Sequence, residues 1–178
     1  MMAAKIFSSV KELKRHLDAL DPSNIRPLYT TSGGFDPMHV GHLRCIQGTV
    51  EEAKGNLCQE EPIGIVTIIV NGDGFLQRKK GYSFMPHEER MEIIAGIEGV
   101  DFVVGWDDGS QFVTGALDIL RPTYFTKGGD RNTSTNVPEF DLCEEIGCTV
   151  LFNIGGGKIQ SSSELVESAR KQKTRDGT

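Results

Sequence analysis

The sequence predicts a single α/β domain, with a central parallel sheet of about five strands and helices covering both faces. Three observations carry that expectation. Short apolar, β-branched runs alternate with segments of helical period along most of the chain. One run, Ile63 to Val70, is almost continuously apolar, as suits a strand buried on both faces. Polar, glycine-containing segments follow the runs, where open α/β sheets place their ligands.

In chain order, Phe7, Val10, Leu13, Leu17 and Leu20 have helical spacing, which predicts an amphipathic helix ended by Asp21-Pro22-Ser23-Asn24. We expect this segment, 1–24, to pack on the main domain, 25–170, with a frayed tail at 171–178. Leu28 to Thr31 reads as the first strand. Val40, Leu43, Ile46, Val50 and Ala53 then set a helical period, and Gly55 to Pro62 is turn-like. After the Ile63–Val70 strand come Asn71-Gly72-Asp73-Gly74 and an expected basic loop, Arg78-Lys79-Lys80-Gly81. Pro86 to Glu98 reads as a helix, Val100 to Gly105 as a strand, and Gln111 to Leu120 as a helix stopped before Pro122. Thr123 to Thr126 is the fourth strand, Asn132 to Asn136 a loop, Val137 to Ile146 a helix and Cys148 to Ile154 the fifth strand. Gly155-Gly156-Gly157-Lys158 turns the chain into Ser161-Ser162-Ser163-Glu164 and a last helix. The arrangement is Rossmann-like.

Composition narrows the classes of function. The 178 residues, 38% hydrophobic and 25% charged, suit one soluble globular domain. A net charge of −6 argues against broad electrostatic binding to nucleic acid. No apolar run approaches the ~20 residues of a membrane span. Cys45, Cys58, Cys143 and Cys148 lack C-x-x-C spacing, so zinc is not expected. With no secretory segment visible, reduced thiols in the cytoplasm are the expectation.

The chemistry centres on Thr31-Ser32-Gly33-Gly34-Phe35-Asp36-Pro37-Met38-His39-Val40-Gly41-His42. An apolar strand, a glycine turn and a helix start bearing two imidazoles make an anion site, because the unpaired N–H groups and the dipole favour phosphate. His39 and His42, three apart, share a face of the first helical turn. In transfer at an α-phosphate they can donate hydrogen bonds to the triphosphate and the five-coordinate phosphorus. Lys79 and Lys80 suit the β- and γ-phosphates, on a lid or on a solvated basic turn. Asp36 and Asp73 stand at strand ends, where a carboxylate can hold Mg²⁺ or a ribose hydroxyl, or cap a turn. Ser161 to Ser163 offer hydroxyls and N–H groups to phosphate, or form a capping box with Glu164. Arg90 and Lys158 are candidates for acceptor or phosphate contacts, with a surface ion pair to Glu88 or Glu89 as the alternative for Arg90.

The chain resembles the cytidylyltransferase-like nucleotidyltransferases, whose H-x-G-H motif is matched by His39-Val40-Gly41-His42. The resemblance runs from about Tyr29 to Leu165. It includes Gly34-Phe35-Asp36, Asp73, the basic segment, Glu89-Arg90-Met91, Val100-Asp101-Phe102-Val103-Val104, Lys127-Gly128-Gly129-Asp130 and the serine run. The Lys-Gly-Gly-Asp segment and the Glu-Arg-Met helix look most like the adenylyltransferase domain that makes ADP-heptose. Lys79 to Tyr82 looks like glycerol-3-phosphate cytidylyltransferase. By resemblance, His39 and His42 act on the transition state, and Lys79 and Lys80 include the lysine that grips phosphate. The nucleotide is expected at Gly33, Gly34, Phe35, Asp36, Gly41, Asp73, Lys127, Gly128, Gly129, Asp130, Ser161, Ser162 and Ser163.

The expected activity is nucleotidyl transfer from a nucleoside triphosphate, ATP favoured, to a sugar phosphate, giving a nucleotide sugar and pyrophosphate, with Mg²⁺, in a homodimer. A polyol phosphate with CTP is the second possibility and a silent nucleotide-binding module the third. A dehydrogenase is disfavoured, since the first turn is not G-x-G-x-x-G.

Overall fold

A computed structural model describes residues 3–23, 25–55, 63–129 and 137–175. Its sheet has six strands: β1 (Lys5–Phe7), β2 (Leu28–Gly33), β3 (Ile65–Asn71), β4 (Phe102–Trp106), β5 (Tyr124–Gly128) and β6 (Thr149–Ile154). The helices are α1 (Val10–Asp18), α2 (Val40–Lys54), α3 (Asp73–Lys80), α4 (His87–Ala95), α5 (Thr114–Leu120), α6 (Phe140–Glu145) and α7 (Ser162–Arg175). The strand order is β1-β4-β3-β2-β5-β6, and every pairing is parallel. From β2 the chain builds outward to β3 and β4, then returns to place β5 and β6 on the other side of β2. The order therefore reverses between β2 and β5, and the crevice beyond their carboxyl ends is where such sheets take ligands.

Strand β3 shows why this sheet is covered twice. All seven of its residues are buried. Ile65 and Ile69 join the core formed with α1, α3 and α5, through Leu13, Phe75 and Leu117. Val66, Ile68 and Val70 face the opposite core with Ile46, Val50 and Ile94 from α2 and α4. The period-two alternation of a strand divides one apolar run between two cores.

The structure adds two elements to the expected set. Strand β1 is the sixth, aligned with Phe102–Val104 of β4. It buries only Phe7, too short a run to show alternation. Residues 5–18 thus enter the sheet as well as packing a helix on it. The expected basic loop is the end of helix α3. Phe75 and Leu76 are the apolar residues α3 buries, so no helical period announces it. Its cap comes from far along the chain: the Asp107 carboxylate accepts from the Phe75 N–H at 2.9 Å and pairs with Arg78. Basic residues in the last turn and left-handed Gly81 then suit its C-terminus.

The β6–α7 turn lies directly on α2. At Gly155, where φ is +78°, an added Cβ would stand 2.5 Å from the Arg44 carbonyl carbon and oxygen, a backbone that cannot swing aside. Gly155→Ala is therefore expected to destabilise by about 2–4 kcal/mol, from strain and overpacking together. A urea titration giving the wild-type midpoint would show that this contact is not tight.

Candidate functional site

Beyond the ends of β2 and β5 lies a cavity of about 720 Å³. His39 is the N-cap of α2, with extended backbone. Its Nδ1 accepts from the Gly41 N–H at 3.1 Å, and His42 Nδ1 accepts from the His39 N–H at 3.3 Å. The rings stack with centroids 3.7 Å apart. Because each Nδ1 is an acceptor, each neutral ring carries its proton on Nε2, so both histidines are left with one donor. Gly41 is required between them, since a Cβ there would come within 3.0 Å of the His39 ring. Phe35 supports the pair from behind: it is buried, left-handed at φ +50°, and its edge meets the His42 ring at 5.3 Å.

The electrostatics keep both rings uncharged. Burial lowers the His39 pKa. Burial first, then His39 and Lys80, lower that of His42 from 6.5 to about 4. The cavity therefore presents two neutral donors at the positive end of a fifteen-residue helix.

A second helix start contributes to the wall. Ser162 opens α7, and its hydroxyl donates to the Pro37 carbonyl at 2.8 Å, tying α7 to the β2–α2 loop. Ser161 and Ser162 line the cavity, as do Gly33, Gly34, Lys79, Lys127, Gly128, Gly129 and Lys158. Ser163 is exposed outside that lining. Asp130 lies outside the described residues, as do Cys58 and the expected loop 132–136.

Four candidates take other work. Lys79 and Lys80 diverge: Lys79 lines the cavity, near the Phe75 ring, while Lys80 turns to Asp36. Lys80 Nζ donates to the Asp36 carbonyl at 2.6 Å and pairs with its carboxylate at 3.0 Å. The two Asp36 carboxylate oxygens also accept from the Phe84 and Met85 N–H groups at 2.8 and 2.6 Å. Buried and so engaged, Asp36 is a clasp between loops, and the magnesium role expected of it does not fit. Asp73 faces a separate groove beside β1 and β4 and accepts from Ser83 and Arg90. Arg90 is neither a surface ion pair nor a cavity residue: it is 1% exposed and donates to the Gly34, Asn71 and Met85 carbonyls.

Other residues enter the wall without a motif to announce them. Cys45 lines it from α2, where burial pushes its thiol pKa up. Gln111 to Val113 line it because α5 begins only at Thr114. Glu139, 5% exposed, lies 3.5 Å from Lys127. Among the described residues it is the only carboxylate lining the cavity, and no group of three or more His, Cys, Asp or Glu side chains could hold a metal ion. The described cavity lining thus offers a metal ion at most the one carboxylate of Glu139. No described helix is long and apolar enough to cross a membrane.

The His42 shift has a consequence for stability. Its folded pKa, about 4, lies below the ordinary 6.5, so the unfolded chain takes up a proton that the folded one refuses. This contribution is complete above pH 6.5 and is lost as the pH falls towards 4. His42→Gln is expected to flatten part of the decline in melting temperature across that window. Parallel wild-type and variant curves would contradict a buried neutral His42.

Comparison with known proteins agrees with this geometry. The family model described as cytidylyltransferase-like matches residues 30–149, from β2 to the start of β6. The chain is 30% identical over 141 residues to the bifunctional protein HldE of Syntrophotalea carbinolica, covering 77% of this chain and 26% of the relative. It is 32% identical over 125 residues to HldE of Hahella chejuensis, covering 68% and 23%. It thus spans about a quarter of the length of these relatives. Among solved structures, the lipopolysaccharide core biosynthesis protein of Thermoplasma volcanium has a TM-score of 0.53 at 19% identity, covering 75% of this chain and 98% of that one. Pantoate-beta-alanine ligase of Francisella tularensis has a TM-score of 0.58 at 13% identity, covering 95% and 77%. These two establish the shared fold. With the motif, the cavity and the family match in agreement, the chain belongs to the cytidylyltransferase-like family of nucleotidyltransferases.

Proposed function

We propose that this protein transfers a nucleoside monophosphate from a nucleoside triphosphate, ATP by preference, to a sugar phosphate, giving a nucleotide sugar and pyrophosphate. The observation that carries the reading is the stacked His39–His42 pair, two neutral Nε2 donors at the start of α2, in a cavity shared with the start of α7. Two helix N-termini and three lysines make a wall for a polyanion. The sequence resemblance to the adenylyltransferase domain that makes ADP-heptose supports ATP and a sugar phosphate.

In the proposed reaction an oxygen of the acceptor phosphate attacks the α-phosphorus. A bond forms between them, the bond to the bridging oxygen of the β-phosphate breaks, and pyrophosphate leaves with that electron pair. No covalent enzyme intermediate is needed. His39 and His42 stabilise the charge growing on the α-phosphoryl oxygens without themselves gaining or losing a proton. Lys79 holds the departing phosphates. Magnesium, when bound with the nucleotide, would supply neutralisation of phosphate charge alongside Lys79, Lys127 and Lys158. The reaction as proposed takes place in the cytoplasm and in a homodimer. CTP with a polyol phosphate is the second reading, favoured by the Lys79-Lys80-Gly81-Tyr82 segment.

A pyrophosphate-release assay pairing ATP, CTP, GTP and UTP with sugar 1-phosphates and polyol phosphates tests this. His39→Ala and His42→Ala are each expected to lower the rate on the order of 10²–10³-fold. A folded His42→Ala with full activity would exclude the role given to it. Tight nucleotide binding without pyrophosphate from any pair would identify a silent binding module.

A further inference from the structure

Residues 155–160, between β6 and α7, are all exposed, and all of them line the cavity. Among the described residues, 157–160 make no hydrogen bond beyond neighbouring Ser161, whose N–H donates to the Gln160 side chain at 3.3 Å. The fastenings of the segment lie at its ends. Gly155 is wedged against the Arg44 backbone of α2, and the Ser162 hydroxyl is latched to the Pro37 carbonyl at 2.8 Å. Between these points Gly156, at φ +86°, and Gly157 each have open space where a Cβ would stand.

The side chains carried here suit an element that closes. Lys158 is exposed and brings a cation to the edge of the cavity. Ile159 is 48% exposed although it lines the cavity, so apolar surface is left to be covered. Helix α7 can travel with them, because residues 167–173 are all exposed and only Ser162, Leu165 and Val166 in its first turns are partly buried. The other basic segment is held still, since Lys80 clasps the end of α3 to Asp36.

We infer that residues 156–162 form a lid, hinged at Gly156 and Gly157 and carried on α7, that closes over the polyphosphate chain of the bound nucleotide. The inference rests on the proposed nucleotidyl transfer. A polyphosphate at the start of α2 attracts Lys158 and the positive end of α7, and closing draws Ile159 out of water. Closure excludes water from the reacting phosphorus and strengthens the donors around it. The lid reopens to let pyrophosphate leave.

Amide hydrogen exchange on the full chain, with magnesium and no acceptor, tests this with ATP, CTP, GTP and UTP and with the monophosphate of whichever binds. The triphosphate that binds is expected to slow exchange at 156–162 by about 10-fold or more, and its monophosphate is expected to leave that segment at the unliganded rate. In calorimetry, Lys158→Ala is expected to weaken the triphosphate roughly 10- to 100-fold, the range for a hydrogen bond to a charged group, and the monophosphate little. Gly157→Val places a stiff side chain where a Cβ meets nothing, so its unliganded exchange is expected to match wild type. Its ligand-induced protection at 156–162 is expected to be lost, with affinity for the triphosphate about 10-fold weaker as the closed state becomes rarer. Protection at the start of α2 without any at 156–162 would overturn the lid. Equal protection by the monophosphate would do the same, as would a Gly157→Val variant with wild-type protection and affinity. Protection at neither place with any triphosphate would overturn the proposed function itself, and the lid with it.

Discussion

The rim of this molecule depends on one buried cation. Arg90 projects from α4 into the gap where β2 and β3 end, and there its guanidinium is 1% exposed. Past the last ladder bond, backbone carbonyls lose their strand partners, and buried ones must find others. Arg90 supplies them, donating at 2.7 Å to Gly34, 2.6 Å to Asn71 and 3.0 Å to Met85. Asp73, at 2.6 Å, balances its charge. Taking a guanidinium out of water is expensive, so each of its partners matters. The arrangement persists because one planar fork serves three chain segments and a carboxylate at once.

Each of those contacts leads into the cavity. Fixing the Gly34 carbonyl fixes the turn that places Phe35 in left-handed backbone, a conformation that costs on the order of 1–2 kcal/mol outside glycine. Phe35 backs the His42 ring, and Asp36 next to it clasps residues 84 and 85 and the end of α3. Fixing Asn71 and Asp73 sets the start of α3, whose last turn sends Lys79 to the cavity and Lys80 to Asp36. Lys80 helps to keep His42 neutral without touching the cavity. The histidine pair is thus held by the Arg90 fork, the Phe35 ring and the Asp36 clasp, and of these only Phe35 lines the cavity.

Much of this was legible in the sequence, for identifiable reasons. β3 is a long β-branched run, and the H-x-G-H segment combines a strand end, glycines and imidazoles whose chemistry is local. Five of the six strands and the convergence of the glycine segments follow from such local signals. β1 does not, because Lys5, Ile6 and Phe7 gain their order from β4, almost a hundred residues away. Nor does α3, whose capping carboxylate, Asp107, lies on the far side of α4 and β4. Arg90 beside Glu88 and Glu89 looks like any surface helix start, and its burial follows from the ends of two strands that meet only in the folded sheet. Asp36 reads as a free carboxylate until the backbone of residues 84 and 85 arrives to occupy it. Glu139 carries no motif at all; its place beside Lys127 depends on how the chain returns after β5.

The dependence of the rim on Arg90 is tested most directly by amide hydrogen exchange in an Arg90→Met variant, with wild type alongside. Exchange is expected to accelerate together at 34–42 and at 72–76, while β3 and β4 keep their protection, because the guanidinium joins those two turns to each other more than it holds the sheet. Wild-type protection at both turns would contradict this, showing that the histidines are positioned without the buried cation.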